Sequence, residues 1–285
     1  MIHSMTGYGK SVLQLPSKKI TIEVKSLNSK NLDLNARMPS IYRGKELSLR
    51  KLIGKQLERG KIDFSIYVEM TGEETTTQLN KPLVKQYIKQ LKDVVDGDAT
   101  ELLKMAVRFP DALNTERDDI DEDEWHSILK EIKSALSNID IYRLDEGKVL
   151  ETDFRNRVTT ISALLEQVIL IDPERIEAVR ERLRKGVAEL KEKVDENRFE
   201  QELVYYIEKF DITEEKVRLQ NHLEYFISAL DSKDSNGKKL GFISQEIGRE
   251  INTIGSKSNY APMQKLVVQM KDELEKIKEQ LLNVL

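Results

Sequence analysis

At 285 residues the chain is long enough for one large or two ordinary domains, and it contains no run of about 18 apolar residues that would span a membrane. It has no cysteine, which excludes disulfides, thiolate metal sites and a cysteine nucleophile. The net charge of −4 hides an asymmetry: residues 1–65 carry 13 Lys/Arg against 5 Asp/Glu, a net of +8, and the remainder carries −12. A basic first quarter on an acidic remainder suggests a surface that faces a polyanion, and it equally fits lysines and arginines that merely solvate strand and helix faces. The opening MIHSMTGYGK carries no apolar stretch of a secretory signal, so a cytoplasmic address is expected.

Period-2 alternation predicts strands at 19–26 (Ile20, Ile22, Val24), 31–37 (Leu32, Leu34) and 62–70 (Ile62, Phe64, Ile66, Val68). A helix is expected over Tyr42–Leu57, closed by the Arg59-Gly60-Lys61 turn. Asn80 opens another helix with Pro82 in its first turn, and residues 98–107 read as helical too. The acidic run Thr115–Glu124 leads into a helix near Trp125–Leu136. From Asp145 the stripe Val149, Phe154, Val158, Ile161, Leu164, Leu165, Val168, Ile169 runs to Asp172-Pro173, where the helix is expected to break and restart. Residues 174–194, rich in Arg, Glu and Lys, read as an exposed antiparallel arm. Further helices are expected at 196–210, from Thr213 as N-cap to Leu230, at 242–257 and at 263–284, with a polar turn at Ser232–Lys239.

These elements define an α+β chain: a small N-terminal sheet with packed helices, then a mostly α-helical C-terminal region with long helical arms. The division expected is 1–144 for the α+β domain, 145–200 for a helical arm and 201–285 for a C-terminal helical domain.

The segment Phe242–Lys257 carries the chemistry. Ile243, Ile247, Ile251 and Ile254 form one apolar stripe, while Glu246, Glu250, Thr253 and Lys257 run beside it with Arg249 next to them. Two carboxylates one turn apart, flanked by Arg and Lys, suit a divalent cation held against a phosphodiester. The same pattern also fits an ordinary amphipathic helix with Glu/Arg ion pairs. On the preceding helix Glu214, Arg218 and His222 share a face, and a histidine beside carboxylates suits general acid–base work or metal ligation. If the two helices pair as a hairpin, Glu214, His222, Glu246 and Glu250 converge. Without cysteine or clustered histidine, Mg²⁺ or Mn²⁺ on carboxylates is the better expectation than zinc. Ser4-Met5-Thr6-Gly7-Tyr8-Gly9 has neither the Gly-Lys-Ser/Thr of a phosphate loop nor the strand–Gly–helix order of a dinucleotide site, so no organic cofactor is expected.

Ser4–Gly9, then Glu23–Asp33 and Arg59-Gly60-Lys61, resemble the N-terminal region of the bacterial YicC/YloC-like endoribonuclease family. Glu146-Gly147, Leu150, Asp153, Asp211–Glu215, Arg218-Leu219, His222, Gly237–Leu240, Gln245-Glu246, Arg249-Glu250, Asn252-Thr253 and Ser256-Lys257 continue the resemblance in order along essentially the whole chain. Gly241 departs from an acidic residue common in that family, and Gly248 from Asn. The resemblance implies an oligomeric, hexameric cytoplasmic protein that binds RNA and cleaves it endonucleolytically with a divalent cation. On that reading Asp211 or Glu214, with Glu246 and Glu250, would hold Mg²⁺ or Mn²⁺. His222 would orient or deprotonate water, and Arg218, Arg249 and Lys257 would neutralise charge developing at phosphorus. Lys25, Lys30, Arg37, Arg43, Arg59 and Lys61 are the candidate contacts to the RNA backbone. A non-catalytic RNA-binding adaptor and a purely structural oligomer are the competing expectations.

Overall fold

The alternating segments build a sheet because only one face of each has somewhere apolar to go. In the computed structural model, which describes residues 2–57, 59–71, 77–115, 121–189, 196–232 and 237–285, the first strands are β1 (Gly7–Gln14), β2 (Lys18–Leu27) and β3 (Leu32–Arg37). A 3₁₀ turn (Ser40–Lys45) leads into α1 (Glu46–Leu57), and β4 (Gly60–Met70) completes a sheet of order β1-β2-β4-β3. β3 and β4 are parallel, in register from Leu32↔Gly60 to Arg37↔Ser65, and α1 supplies the crossover that parallel neighbours need. Gly60 turns the chain into β4 at φ 122°, a backbone region that strongly favours glycine.

Ile20, Ile22 and Val24 of β2 and Ile62, Phe64 and Ile66 of β4 point inward and are buried. They share a core with Leu49, Ile53 and Leu57 of α1 and with Trp125, Ile128, Ile132, Leu136 and Ile139 of the long helix α4 (Glu122–Glu189). β1 was not among the expected strands, because its inward positions are Gly9, Ser11 and Leu13 instead of a β-branched run. The reason is packing. The α4 backbone passes so close to Gly9 that an added Cβ would lie 2.0 Å from the Ala135 carbonyl oxygen. A small subsidiary element follows, with β5 (Thr77–Leu79) antiparallel to β6 (Leu113–Thr115). Helices α2 (Lys81–Val94) and α3 (Ala99–Ala106) lie between these strands in sequence, and Val84 of α2 and Ala106 of α3 are buried together with Ala112. Much of the acidic run at 115–124 lies outside the described residues.

The chain divides into two compact units. One comprises Tyr8–Lys25 and Asn31–Ile139; the other comprises Met1–Gly7, Ser26–Lys30 and Asp140–Leu285. The second unit holds the rest of α4, α5 (Glu196–Lys209), α6 (Thr213–Leu230), α7 (Gly237–Lys257) and α8 (Ala261–Leu281). Its core interleaves Phe154, Ile161 and Val168 of α4, Leu219, Leu223 and Phe226 of α6, the α7 isoleucine stripe, and Met263, Val267, Met270, Leu274 and Ile277 of α8. No helix among the described residues is long and apolar enough to cross a membrane.

Two expectations about helix ends are corrected. The helices expected at 125–136 and from 145 are one helix, and α4 continues through Pro173 without a restart. Proline removes one backbone donor there, but side chains hold the segment: Asp172 accepts from Arg175 Nε of the same helix at 2.7 Å and from Lys216 Nζ of α6 at 2.7 Å. Thr213 is the first helical residue of α6 and not its cap. The Asp211 carboxylate accepts its N–H at 3.1 Å and its hydroxyl at 2.7 Å.

The N-terminal motif has a structural role. Met5 N–H donates to Asn283 O at 2.8 Å, Leu285 N–H donates to His3 O at 2.9 Å, and Ser26 Oγ donates to Met5 O at 2.7 Å. Buried Arg143 donates to Ser26 Oγ at 2.6 Å, which joins both outlying segments to α4.

Gly9→Ala should destabilise the chain by about 1–3 kcal/mol, the usual cost of overpacking against backbone that cannot retreat. Urea denaturation at neutral pH reads this, and an unchanged midpoint would contradict the close approach.

Candidate active site

The α7 stripe of Ile243, Ile247, Ile251 and Ile254 is buried against the rest of the helical core. Residues on the border of that stripe are drawn partly out of water with it. Glu250 is such a residue, at 8% exposure. Helix α6 lies alongside in the opposite direction: Lys257 near the end of α7 reaches Glu215 near the start of α6 at 2.8 Å, and Lys239 near the start of α7 covers the ring of Tyr225.

The pairing brings Glu215, Arg218 and His222 of α6 to Glu246 and Glu250 of α7. Burial pushes the Glu250 carboxyl above the usual glutamate range; the Arg218 and His222 charges pull it back, and Glu215 and Glu246 add to the rise. Glu250 makes no hydrogen bond or ion pair with another described residue, and the half-buried ring of His222 has no hydrogen-bond partner among them either. Glu246 accepts from Arg249 at 2.7 Å, and Arg249 itself is 71% exposed. Such an i,i+3 pair is worth only about 0.3–0.5 kcal/mol, so an arriving phosphate can draw Arg249 away at little cost.

The other candidates lie elsewhere. Glu214, expected to face the site, points outward and accepts from Arg218 NH2. Its neighbour Glu215 turns inward instead and is buried, with Oε1 on Lys257 and Oε2 without a hydrogen-bond partner among the described residues. The signal for Glu215 was present: seven residues separate it from His222, which is two helical turns. Asp211 stands just before α6, and hydrogen bonds from Thr213, working against burial and aided by Lys216, hold its carboxyl below the usual range. Lys257 is a clamp, donating to Asp211 O at 2.9 Å as well as to Glu215. From the other side, Arg175 donates to Phe210 O at 3.0 Å, so two cations bind consecutive carbonyls of the α5–α6 turn. Among the described residues no three His, Asp or Glu side chains stand close enough to hold a metal ion, so Asp211, Glu214, Glu246 and Glu250 do not form a common ligand set.

The two departures from the family pattern fall away from Glu250. Gly241 lies nine residues before it, half a turn round α7, and has open space where a Cβ would be. Gly248 is buried, with Leu274 of α8 3.2 Å from where a Cβ would sit.

Two family descriptions match this chain, "Endoribonuclease YicC-like, N-terminal region" over residues 2–152 and "Endoribonuclease YicC-like, C-terminal" over residues 169–285. The chain belongs to the YicC-like endoribonuclease family. A similar protein from Clostridioides difficile (strain 630), named "Probable endoribonuclease YicC", is 33% identical over 293 residues and covers all of both chains. Another of the same name, from Haemophilus influenzae (strain ATCC 51907 / DSM 11121 / KW20 / Rd), is 29% identical over 287 residues, again over the full length of both. The Glu215–His222–Glu246–Glu250 group lies wholly inside the span matched by the C-terminal description of the YicC-like family.

The basic candidates belong to the N-terminal description. Lys30, Arg37, Arg43 and Lys61 are exposed and form no ion pair among the described residues. Lys25 stands 3.7 Å from Glu23 and over the ring of Tyr8, and Arg59 is half-buried at the entry to β4.

The raised Glu250 carboxyl sets the sign of a pH effect. Between the ordinary glutamate value and the raised one, the folded chain holds a proton that the unfolded chain has released, so stability falls as pH rises through that window. Glu250→Gln should therefore stabilise the chain at pH 8 and raise its Tm there. The variant should differ little from the parent at pH 4. Thermal melts at both pH values test this, and a variant less stable at pH 8 would refute it.

Proposed function

We propose that the chain is an endoribonuclease that cleaves RNA phosphodiester bonds in the groove between α6 and α7. The observation that carries this reading is the partly buried Glu250 carboxyl, which has no direct partner and lies within electrostatic reach of His222, Arg218, Glu215 and Glu246. Displaced pKa values and facing titratable groups mark sites of proton transfer. The relatives' name, "Probable endoribonuclease YicC", supplies the substrate class.

In this proposal His222 takes the proton from the attacking water as its oxygen bonds to phosphorus. The phosphorus–oxygen bond to the departing nucleotide then breaks, and the leaving oxygen takes a proton from solvent water. Arg218 and Arg249 neutralise charge that builds on the non-bridging oxygens. Lys257 acts indirectly, by anchoring the α5–α6 turn and Glu215. Glu246 and Glu250 alone are too few for a closed metal cage, but Mg²⁺ is commonly held by one or two carboxylates with substrate phosphates completing its shell. The burial of Glu250 beside Glu215 and Glu246, and Oε2 of Glu215, which has no hydrogen-bond partner among the described residues, fit a divalent cation arriving with substrate. Glu246 and Glu250 would hold it, and when bound it would supply Lewis-acid assistance at the phosphate. The lack of a three-ligand group favours a second reading, in which Glu250 protonates the leaving oxygen with no metal. The proposal also takes in the exposed lysines and arginines of the N-terminal region as contacts to RNA phosphates, a homo-oligomeric assembly of hexameric size, and action in the cytoplasm.

Glu250→Gln and His222→Ala should each lower cleavage of a structured RNA by at least about 100-fold, with RNA affinity retained. Full cleavage by both variants would refute the site. EDTA followed by Mn²⁺ separates the two readings: loss and recovery of activity supports the cation, and indifference supports Glu250 as an acid.

Lys61→Ala should weaken RNA binding uniformly across sequences and reduce the slope of log affinity against log salt by about 1. Salt titrations read this, and an unchanged slope removes Lys61 from the interface.

A further inference from the structure

Each arginine of the site has an aromatic ring two turns away on its own helix. Tyr225 lies seven residues beyond Arg218 on α6, and Phe242 lies seven residues before Arg249 on α7, so each ring shares its arginine's face. Because the helices run in opposite directions, both arginines lie toward one end of the groove and both rings toward the other. Neither ring is part of the core: Tyr225 is 49% exposed and Phe242 63% exposed, while Phe226 and Ile243 beside them are buried. Lys239 of α7 crosses to α6 and holds its ammonium 4.9 Å from the centroid of the Tyr225 ring. Isolated exposed rings on a protein surface need no explanation. Here two rings and a cation stand within about 10 Å along the helix axes of the arginines that would bind a phosphate.

Single-stranded nucleic acid is held by this combination, with cations tracking the backbone and aromatic faces stacking on bases. Resting on the nuclease reading above, we infer that Tyr225, backed by Lys239 and flanked by Phe242, stacks on an unpaired base next to the scissile phosphate. The site therefore selects RNA that is single-stranded at the cut. A base locked in a duplex cannot reach the ring, because its faces are already covered by its neighbours. Specificity of this kind reads strandedness more than sequence, since every base presents a π face.

The test uses the full chain and a short single-stranded oligoribonucleotide carrying 2-aminopurine, with EDTA present to hold off cleavage if cleavage needs a cation and the Glu250→Gln background if it does not. The parent should quench the fluorophore on binding. Tyr225→Ala should weaken that binding roughly tenfold, the scale of one stacked base. In cleavage assays it should raise KM by a similar factor with kcat nearly unchanged. Tyr225→Phe should restore both, and Phe242→Ala should show a smaller loss of the same kind. Fully paired RNA should bind the parent and Tyr225→Ala equally. Parental behaviour of both alanine variants on single-stranded RNA, or no quenching by the parent, overturns the stacking role. The nuclease reading fails separately, if Glu250→Gln and His222→Ala cleave normally; a Tyr225-dependent quench in that case leaves base binding standing.

Discussion

Burial of the Ile243–Ile247–Ile251–Ile254 stripe governs everything in the helical unit that matters for chemistry. Each of these side chains contributes roughly 1.5–3 kcal/mol when removed from water. Four of them outweigh the cost of drawing one carboxyl on the border of the stripe out of solvent with them. Glu250 is that carboxyl, and its displaced protonation equilibrium follows from its neighbours in the helix, not from a special loop. The site is rigid for the same reason: its groups stand on two packed helices whose rotation about their axes is set by the core.

The polar groups around that core divide by burial into a firmly held set and a loosely paired one. Asp172 and Arg175 form a buried ion pair that half-buried Lys216 joins, and buried Glu215 pairs with half-buried Lys257, both gripping the α5–α6 turn. Removing one member of a buried pair leaves an uncompensated charge, a change that costs several kcal/mol, so these groups are poorly suited to changing partners during a reaction. Arg218, Arg249 and Glu246 are exposed or in weak surface pairs, and can change partners cheaply. His222 and Glu250 lie between the two sets, half-buried or buried yet without direct partners. That intermediate condition suits groups that must exchange protons.

In the N-terminal region the sheet turns its polar residues outward, and the basic side chains from β2 to β4 are spread over strands, turns and α1. Glu23 shows how locally such charge is balanced. Against the effect of burial, hydrogen bonds from Lys10 and Tyr8 and the charge of Lys25 hold its carboxyl below the usual range. A net excess of +8 over residues 1–65 is thus not uniform over the surface. Lys30, Arg37, Arg43 and Lys61 are among the basic residues that form no ion pair with other described residues.

Much of this was legible in residue order. Period-2 runs located β2, β3 and β4, and the isoleucine spacing located the buried face of α7. These features are local: a strand or helix face is set by side-chain period, and burial selects the apolar side. Other features needed the folded chain. β1 was hidden because its inward face is shaped by the close passage of α4, and the continuity of α4 through Pro173 depends on an ionic group completed by Lys216 from α6. Glu214 and Glu215 are chemically identical neighbours, and one turns out while the other turns in. The rotation of α6 against α7 alone separates them, and that rotation is set by packing between segments distant in sequence, which no local period contains.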